Sequence, residues 1–267
     1  MITMKPFWSP DGQAALQRLA HSQPLLAFDF DGTLAPIVAR PDDARVPLAI
    51  SQRLAQLAER WPVAIITGRS IEDVQPRLGF QPHHLVGNHG AQTQLVTPDT
   101  PDTQDAPPSW SRTLLDPLRA TLVHQAATLH AAGVQVEDKG LSLALHYRLA
   151  HDRAQALATI DQVLQPLADG LRRFGGKCVE NIIPAAAPDK GDAVMTLLRS
   201  TGATALLFVG DDLNDEAVFE RAQPDWLTIR IGNDAPSSRA KYFVGSQAEL
   251  APLLQHLHQL LIQQGGD

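Results

Sequence analysis

The chain has almost no cysteine. Cys178 is the single thiol among 267 residues, so no internal disulfide can form, and a reducing compartment is expected. Positive charge is not in excess either. Lys and Arg number 22 against 29 Asp and Glu, a net charge of −7, which excludes a general field for nucleic acid. No apolar run approaches the roughly 18 to 20 residues of a membrane span. The opening segment, "MITMKPFWSPDG", has one lysine and no long apolar stretch, unlike a secretory signal. These absences lead us to expect a soluble cytoplasmic protein with neither nucleic acid nor membrane as partner. What is present is enough apolar material for a real core, 44% hydrophobic against 19% charged residues. The length allows one large domain or two modest ones. A small anionic ligand would need a local cluster of cations or a metal.

Several short apolar runs read as strands: "PLLAFDF" (24–30), "VAIIT" (63–67), "HLVGNHG" (84–90), "ALLFVGDD" (205–212) and "LTIRIG" (227–232). Continuous apolar runs of this length suit strands buried on both faces of a parallel sheet. Helical patterns lie between them, at 47–60 behind Pro47 and at 190–202 with Gly202 as a C-cap. The β-α-β order predicts right-handed crossovers and a doubly wound, Rossmann-like α/β sheet. The middle differs. Residues 97–109, "TPDTPDTQDAPPS", read as linker, with Asp99, Asp102 and Asp105 solvated. A helix (110–132), a hairpin of two strands (134–140 and 141–148) joined at "KG", a helix (151–168) and strands near 171–174 and 177–183 follow. The expectation is a core of residues 1–92 and 186–267 with an inserted α/β cap at 93–185. Cys178 reads as a small buried apolar residue.

Two of the apolar strands end in acids. Asp29 and Asp31 close the first, and two residues apart in an extended chain they point to the same side. "LLFVGDDLNDEAVF" (206–219) likewise ends an apolar strand in acids, Asp211, Asp212 and then Asp215. In an open parallel sheet, ligands bind beyond the carboxyl ends of the strands. Carboxylates facing one cavity repel unless a divalent cation or a shared proton intervenes, and hard oxygen ligands favour Mg²⁺. Thr67 ends another strand with a hydroxyl able to donate to a phosphoryl oxygen; read alone, it is an N-cap for the segment from Ser70. Lys190 stands at a helix start, where its ammonium and the free N–H groups favour an anion. Carboxylate, hydroxyl, cation and metal cage together suit phosphoryl transfer through an aspartyl-phosphate.

"DFDGTL", Thr67, Lys190 and "GDDLND", in that order, resemble the haloacid dehalogenase-like phosphatase superfamily. Within it, "DFDGTLAPI", "ITGRS", "VGNHGA", "EDKGLSLALHYR", "GKCVE" and "GDDLNDEAVF" are similar to trehalose-6-phosphate phosphatases. The resemblance implies Asp29 as nucleophile and Asp31 as general acid and then base. It implies Thr67 and Lys190 as phosphoryl ligands. Mg²⁺ would be held by Asp29, the Asp31 carbonyl and Asp211, with Asp212 and Asp215 outside them or orienting Lys190. It implies that the cap supplies the sugar contacts. Departures are Asn214, where the family usually has Thr, and "VENIIP", which lacks the family's basic residue after its Glu.

The remaining candidates carry two readings each. Gly68 and Arg69 lie in the phosphate loop, and Arg69 is either a substrate ligand or a salt-bridge partner. Asn88 and His89 either face the cleft or form a glycine-bounded turn. In "LSLALHYR" the face of Ser142, Ala144, His146 and Arg148 opposes that of Leu141, Leu143, Leu145 and Tyr147. With Lys139, Lys177 and Glu180, the residues His146 and Arg148 make a polar set suited to a phosphorylated disaccharide, or else the wet face of a half-buried sheet. Lys177 and Glu180 are alternatively a cross-strand pair. The expected activity is removal of phosphate from trehalose 6-phosphate by a monomer or weak oligomer. Alternatives are the same chemistry on sucrose phosphate or a mannosyl phosphate compound, a non-catalytic sugar-phosphate sensor, or a phosphoryl mutase.

Overall fold

A computed structural model describes residues 4–95 and 109–264. Residues 97–108 of the expected linker, with Asp99, Asp102 and Asp105, lie outside the described residues. The chain forms two compact units, residues 1–103 with 188–267, and residues 104–187. The first unit opens with β1 (Lys5–Pro6), α1 (Pro10–Ala20), β2 (Pro24–Phe28), α2 (Leu48–Ala58), β3 (Val63–Ile66), α3 (Ile71–Val74), β4 (His84–Gly87) and β5 (Gln92–Leu95). The second unit holds α4 (Ser109–His124), α5 (Ala126–Ala131), β6 (Gln135–Asp138), β7 (Leu143–His146), α6 (Arg153–Val163), β8 (Leu171–Gly176) and β9 (Val179–Pro184). The chain then returns with α7 (Lys190–Thr201), β10 (Ala205–Gly210), α8 (Glu216–Phe219), β11 (Trp226–Ile231), β12 (Tyr242–Val244) and α9 (Leu250–Gln264).

Along β2, β3 and β10 every residue is buried, yet neighbours in sequence serve different cores. Leu26, Phe28, Ile65, Leu207 and Val209 pack with Leu16 of α1, Leu54 of α2 and Leu253 of α9. Leu25, Ala27, Ile66, Leu206 and Phe208 pack with Val194 of α7 and Val218 and Phe219 of α8. That period of two is the strand pleat expressed as packing. It explains why these strands read as unbroken apolar runs: helices cover both faces, so the sheet is doubly wound as expected. The strand order is β1-β12-β11-β10-β2-β3-β4-β5, parallel throughout except between β4 and β5. β2 and β10 are neighbours, with Phe28 opposite Val209, so their carboxyl ends lie side by side.

β1, β5 and β12 were not anticipated. They have two, four and three residues, too few to show a pattern. β5 carries residues 93–95, expected in the insertion, into the sheet of the first unit. The helix expected over 110–132 is divided at Gln125, whose backbone leaves the helical region. No helix among the described residues is long and apolar enough to cross a membrane.

The second unit is an antiparallel sheet of order β6-β7-β9-β8. Leu143, Leu145 and Ile182 pack against Leu115, Leu118 and Leu122 of α4, and Ala156 and Ile160 of α6. β6 and β7 form the expected hairpin, closed by the Lys139 N–H on the Ser142 carbonyl at 2.9 Å. The strand expected at 177–183 begins later. Gly176 pairs with Val179, so Lys177 and Cys178 are the two turn residues between β8 and β9. Cys178 adopts φ +62 and is half-buried, not the buried apolar residue expected.

Phe208 sits at the centre of one core, edge-on to Phe219 with ring centroids 5.6 Å apart. Phe208→Ala should cost about 3–5 kcal/mol of stability, read as a lower urea midpoint at unchanged slope. A loss below about 1 kcal/mol would contradict this packing.

Candidate active site

β2 and β10 stop where their chains stop being apolar. The Asp29 N–H still donates to the Val209 carbonyl at 2.9 Å, so Asp29 continues the ladder one step past Phe28. Asp211 follows Gly210 at the neighbouring strand end. Both acids are buried, Asp29 at 5% and Asp211 at 1% exposure, and so are Asp215 at 0% and Lys190 at 1%. Carboxylate oxygens of Asp29, Asp211 and Asp215 lie within 4.8 Å of one another. The Lys190 ammonium donates to Asp29 Oδ1 at 2.6 Å and to Asp215 Oδ1 at 2.7 Å. The other Asp215 oxygen accepts the N–H groups of Asp211 and Asp212 at 2.9 and 3.0 Å, which shapes the loop after β10. Two glycines make room. A Cβ on Gly32, at φ +84, would fall 1.9 Å from Asp211 Oδ2, and one on Gly210 would fall 2.4 Å from Asp215 Oδ2.

Three ionised carboxylates against one ammonium leave two negative charges uncompensated in a buried site. Burial, and then the neighbouring Asp215 and Asp211, push the Asp29 carboxyl well above its usual range despite Lys190. Burial works against the Lys190 charge, but Asp215 and Asp29 outweigh it and hold the ammonium protonated. A hard divalent cation satisfies this donor set, and Asp29 and Asp211 are the acids available to hold it. Asp215 orients Lys190, one of its two expected roles, from within the acid cluster rather than outside it. Asp212 is not in the cluster: its Oδ1 accepts the Leu213 N–H at 2.8 Å and caps the next turn.

Asp31 is less buried than Asp29, its side chain 39% exposed. The chain leaves β2 after Phe28 and turns at Gly32. Both Asp31 oxygens are gripped by Arg69, Nε to Oδ2 at 2.7 Å and Nη2 to Oδ1 at 2.8 Å. Arg69 also donates to Asp73 Oδ2 at 2.6 Å and to the Pro41 carbonyl at 3.0 Å, and lies over the Phe30 ring. Of its two expected readings, the salt-bridge partner is what the structure displays. Arg77 extends the chain of charges: its Nε donates to Asp73 Oδ1 at 3.1 Å, and a second contact joins Nη2 to the same oxygen. Asp73 is buried enough to raise its carboxyl, yet Arg77 and Arg69 hold it below the usual range. Thr67 is buried, and its Oγ1 accepts the Arg69 N–H at 3.2 Å. Ser70, not Thr67, caps α3.

Asn88 and His89 are buried in a tight turn after β4. Sequence reasoning passed over Arg230, a buried cation at the end of β11, next to Gly210 in register and 3.4 Å from Glu216. A lone Arg inside "LTIRIG" was the available signal.

In the second unit the polar set is divided. His146 Nε2 is 2.7 Å from Glu137 Oε2, and Lys139 lies 3.7 Å from the same carboxylate. Arg148 donates to the Lys177 carbonyl at 3.1 Å. Glu180 stands opposite Leu145 in register, so it occupies the helix-packed face, away from His146. There it accepts Arg173 Nε at 2.7 Å, and Arg173 reaches Asp161 of α6 at 2.6 Å. Asn181, opposite Ala144, is a buried polar residue on the His146 face.

The trehalose-phosphatase family model matches residues 27–246. The chain belongs to the trehalose-phosphatase family. Among curated proteins, the trehalose-phosphate phosphatase of Mycobacterium avium is 35% identical over 264 residues, covering 93% of this chain and 66% of that protein. The Mycobacterium marinum protein of the same name is 33% identical over 240 residues, covering 86% and 60%. This chain thus spans about two thirds or less of the length of those relatives. In fold, it resembles the C-terminal domain of Candida albicans trehalose-6-phosphate phosphatase, with TM-score 0.77 at 20% identity over 97% of this chain and 99% of that one. A trehalose-6-phosphate phosphatase related protein superposes at TM-score 0.70, 24% identical, over 90% and 99%. At under 25% identity, both likenesses are of the fold.

The raised Asp29 carboxyl sets a pH dependence for the metal-free protein. The stability that its protonated form contributes is fully present below the ordinary value of 3.8. It is lost as pH rises through the higher folded value, because the unfolded chain then binds fewer protons. In chelator, Asp29→Asn should flatten the fall of Tm as pH rises above about 4. Mg²⁺ should raise the wild-type Tm more than that of the variant. Parallel pH curves for the two proteins, with equal responses to Mg²⁺, would contradict the charge imbalance.

Proposed function

We propose that this trehalose-phosphatase family member is a Mg²⁺-dependent phosphatase hydrolysing trehalose 6-phosphate to trehalose and phosphate, for trehalose biosynthesis, with the phosphoryl group carried transiently on Asp29. The observation that carries the reading is the buried set of three carboxylates around one ammonium at the ends of β2 and β10. Family membership, and the names of the relatives, support the substrate.

Asp29 and Asp211, with the Asp31 carbonyl, would hold Mg²⁺. When bound, the ion supplies positive charge to phosphoryl oxygens as negative charge builds on them. Lys190 fixes Asp29 Oδ1, which leaves Oδ2 to attack phosphorus. As the Asp29–phosphorus bond forms, the bond from phosphorus to the sugar oxygen breaks, and Asp31 gives its proton to that oxygen. In the second step Asp31 takes a proton from water as the water oxygen bonds to phosphorus. The Asp29–phosphorus bond breaks, phosphate leaves, and Asp29 returns as carboxylate. Arg69 holds both Asp31 oxygens, so proton donation follows the release of one of those bonds. Thr67 and Lys190 steady the phosphoryl oxygens. We assign sugar recognition to the second unit, read as an inserted cap, through Lys139, His146 and Arg148. Groups that bind sugar hydroxyls also reject analogues that leave them unpaired.

Phosphate release should be fastest from trehalose 6-phosphate in a panel with sucrose 6-phosphate and p-nitrophenyl phosphate, and should vanish in chelator. Asp29→Asn should abolish it with the fold intact. Substantial turnover by that variant would remove the covalent step from the reading. Arg148→Ala should raise KM for trehalose 6-phosphate about tenfold while leaving p-nitrophenyl phosphate turnover unchanged. An equal effect on both substrates would take Arg148 out of sugar recognition.

A further inference from the structure

Asn88 and His89 have φ of +50 and +59, and Gly90 follows at φ +120. Two consecutive non-glycine residues in the left-handed region cost of order 1–2 kcal/mol each, and such strain persists only where the surroundings enforce it. Here the surroundings are the catalytic loops themselves. The Asn88 N–H donates to the Arg69 carbonyl at 2.8 Å and the His89 N–H to the Thr67 carbonyl at 2.9 Å, so the two bonds straddle Gly68. The His89 ring covers Gly68 so closely that a Cβ there would meet Cε1 at 2.3 Å and Nε2 at 2.7 Å. Asn88 Nδ2 donates to Gln92 Oε1 at 3.2 Å, and the same oxygen accepts the first N–H of α3 from Ile71 at 3.1 Å. On the other side, a Cβ on Gly90 would fall 2.5 Å from the Asp189 carbonyl. Asp189 caps α7, and Lys190 is the next residue.

We propose that the Asn88–His89–Gly90 turn is a positioning clamp, with the His89 imidazole packed on the 67–69 loop and Gly90 against the start of α7. It sets the spacing of two charge systems, Arg69 on Asp31 and Lys190 on Asp29, and it does not read the substrate. This rests on the assignment of phosphoryl-transfer chemistry to Asp29 and Asp31. The turn's conformation explains why His89 can be buried without facing substrate: its backbone is spent on Thr67 and its ring on Gly68.

His89→Gly tests the clamp, since glycine adopts φ +59 without strain and only the imidazole is removed. Kinetics would use p-nitrophenyl phosphate and trehalose 6-phosphate with Mg²⁺. The expected result is a Tm within a few degrees of wild type, kcat lower by about 10- to 100-fold, and KM for both substrates within about threefold. Gly68→Ala alone should lose a comparable factor, because the new methyl displaces the ring. The Gly68→Ala, His89→Gly double variant should lose no more than His89→Gly, since the clashing partner is gone. Retention of kcat within about twofold by His89→Gly, or multiplied losses in the double variant, would overturn the clamp. So would a rise in KM confined to trehalose 6-phosphate, which would make His89 a sugar ligand. If wild type turns over p-nitrophenyl phosphate but not trehalose 6-phosphate, the substrate reading fails, while the kcat ratio on p-nitrophenyl phosphate still decides the clamp.

Discussion

Asp29 and Asp215 share the buried Lys190 ammonium with Asp211 beside them, and the surrounding structure is built to hold that unequal arrangement together. Burying an unpaired charge costs several kcal/mol, and removing one partner of a buried pair costs about 3–5 kcal/mol. The cluster therefore exists only because a rigid frame leaves the acids nowhere else to go. β2 and β10 supply that frame. They are buried on both faces and bonded to each other in register, so the first residues past their ends are fixed in place. Lys190 reaches them from the start of α7, whose capping box at Asp189 and Asp192 fixes where the helix begins. Gly32 and Gly210 then remove the two side chains that would collide with the acids.

Asp29 and Asp31 are supported by different cations, and the difference is chemical. Lys190 is a compact charge that bonds two carboxylates at once, which suits a site that also needs room for a metal. Arg69 presents a planar fork that takes both oxygens of one carboxylate and is itself pinned by Asp73 and Pro41. In the proposed reaction Asp31 exchanges a proton twice per cycle, and the group that orients it never loses its own charge. Burial opposes that charge, but the hydrogen bonds Arg69 donates to Asp31 and Asp73 hold it in place.

Much of this was legible in the chain. "LLAFDFDGTL" and "LLFVGDDLND" announce buried strands that end in acids, and strand pairing in a parallel sheet brings those ends together. Lys190 was legible from its place at a helix start. What spacing could not deliver was the partner of Asp31, because Arg69 stands 38 residues away in sequence and meets it only through the fold. Nor could it find the Asp73–Arg77 extension, whose members sit four residues apart on α3 and the turn after it and look like ordinary surface charges.

The second unit shows the same failure in its sharpest form. The side chains of a strand change face with every residue, so a one-residue shift in where the strand begins exchanges its two faces. "GGKCVENIIP" does not reveal that Lys177 and Cys178 form the turn, with φ +62 at Cys178, and that pairing restarts at Val179. Once that turn is set, Glu180 must lie with Leu145 against the helices, where it pairs with Arg173, which also bonds Asp161. Asn181 must then take the opposite face, beside Ala144 and two register pairs along from His146. Glu180's charge therefore belongs to the packing of its own unit. The face that carries His146 holds a neutral amide in its place, so the carboxylate closest to hand there is Glu137, already engaged by His146 and Lys139.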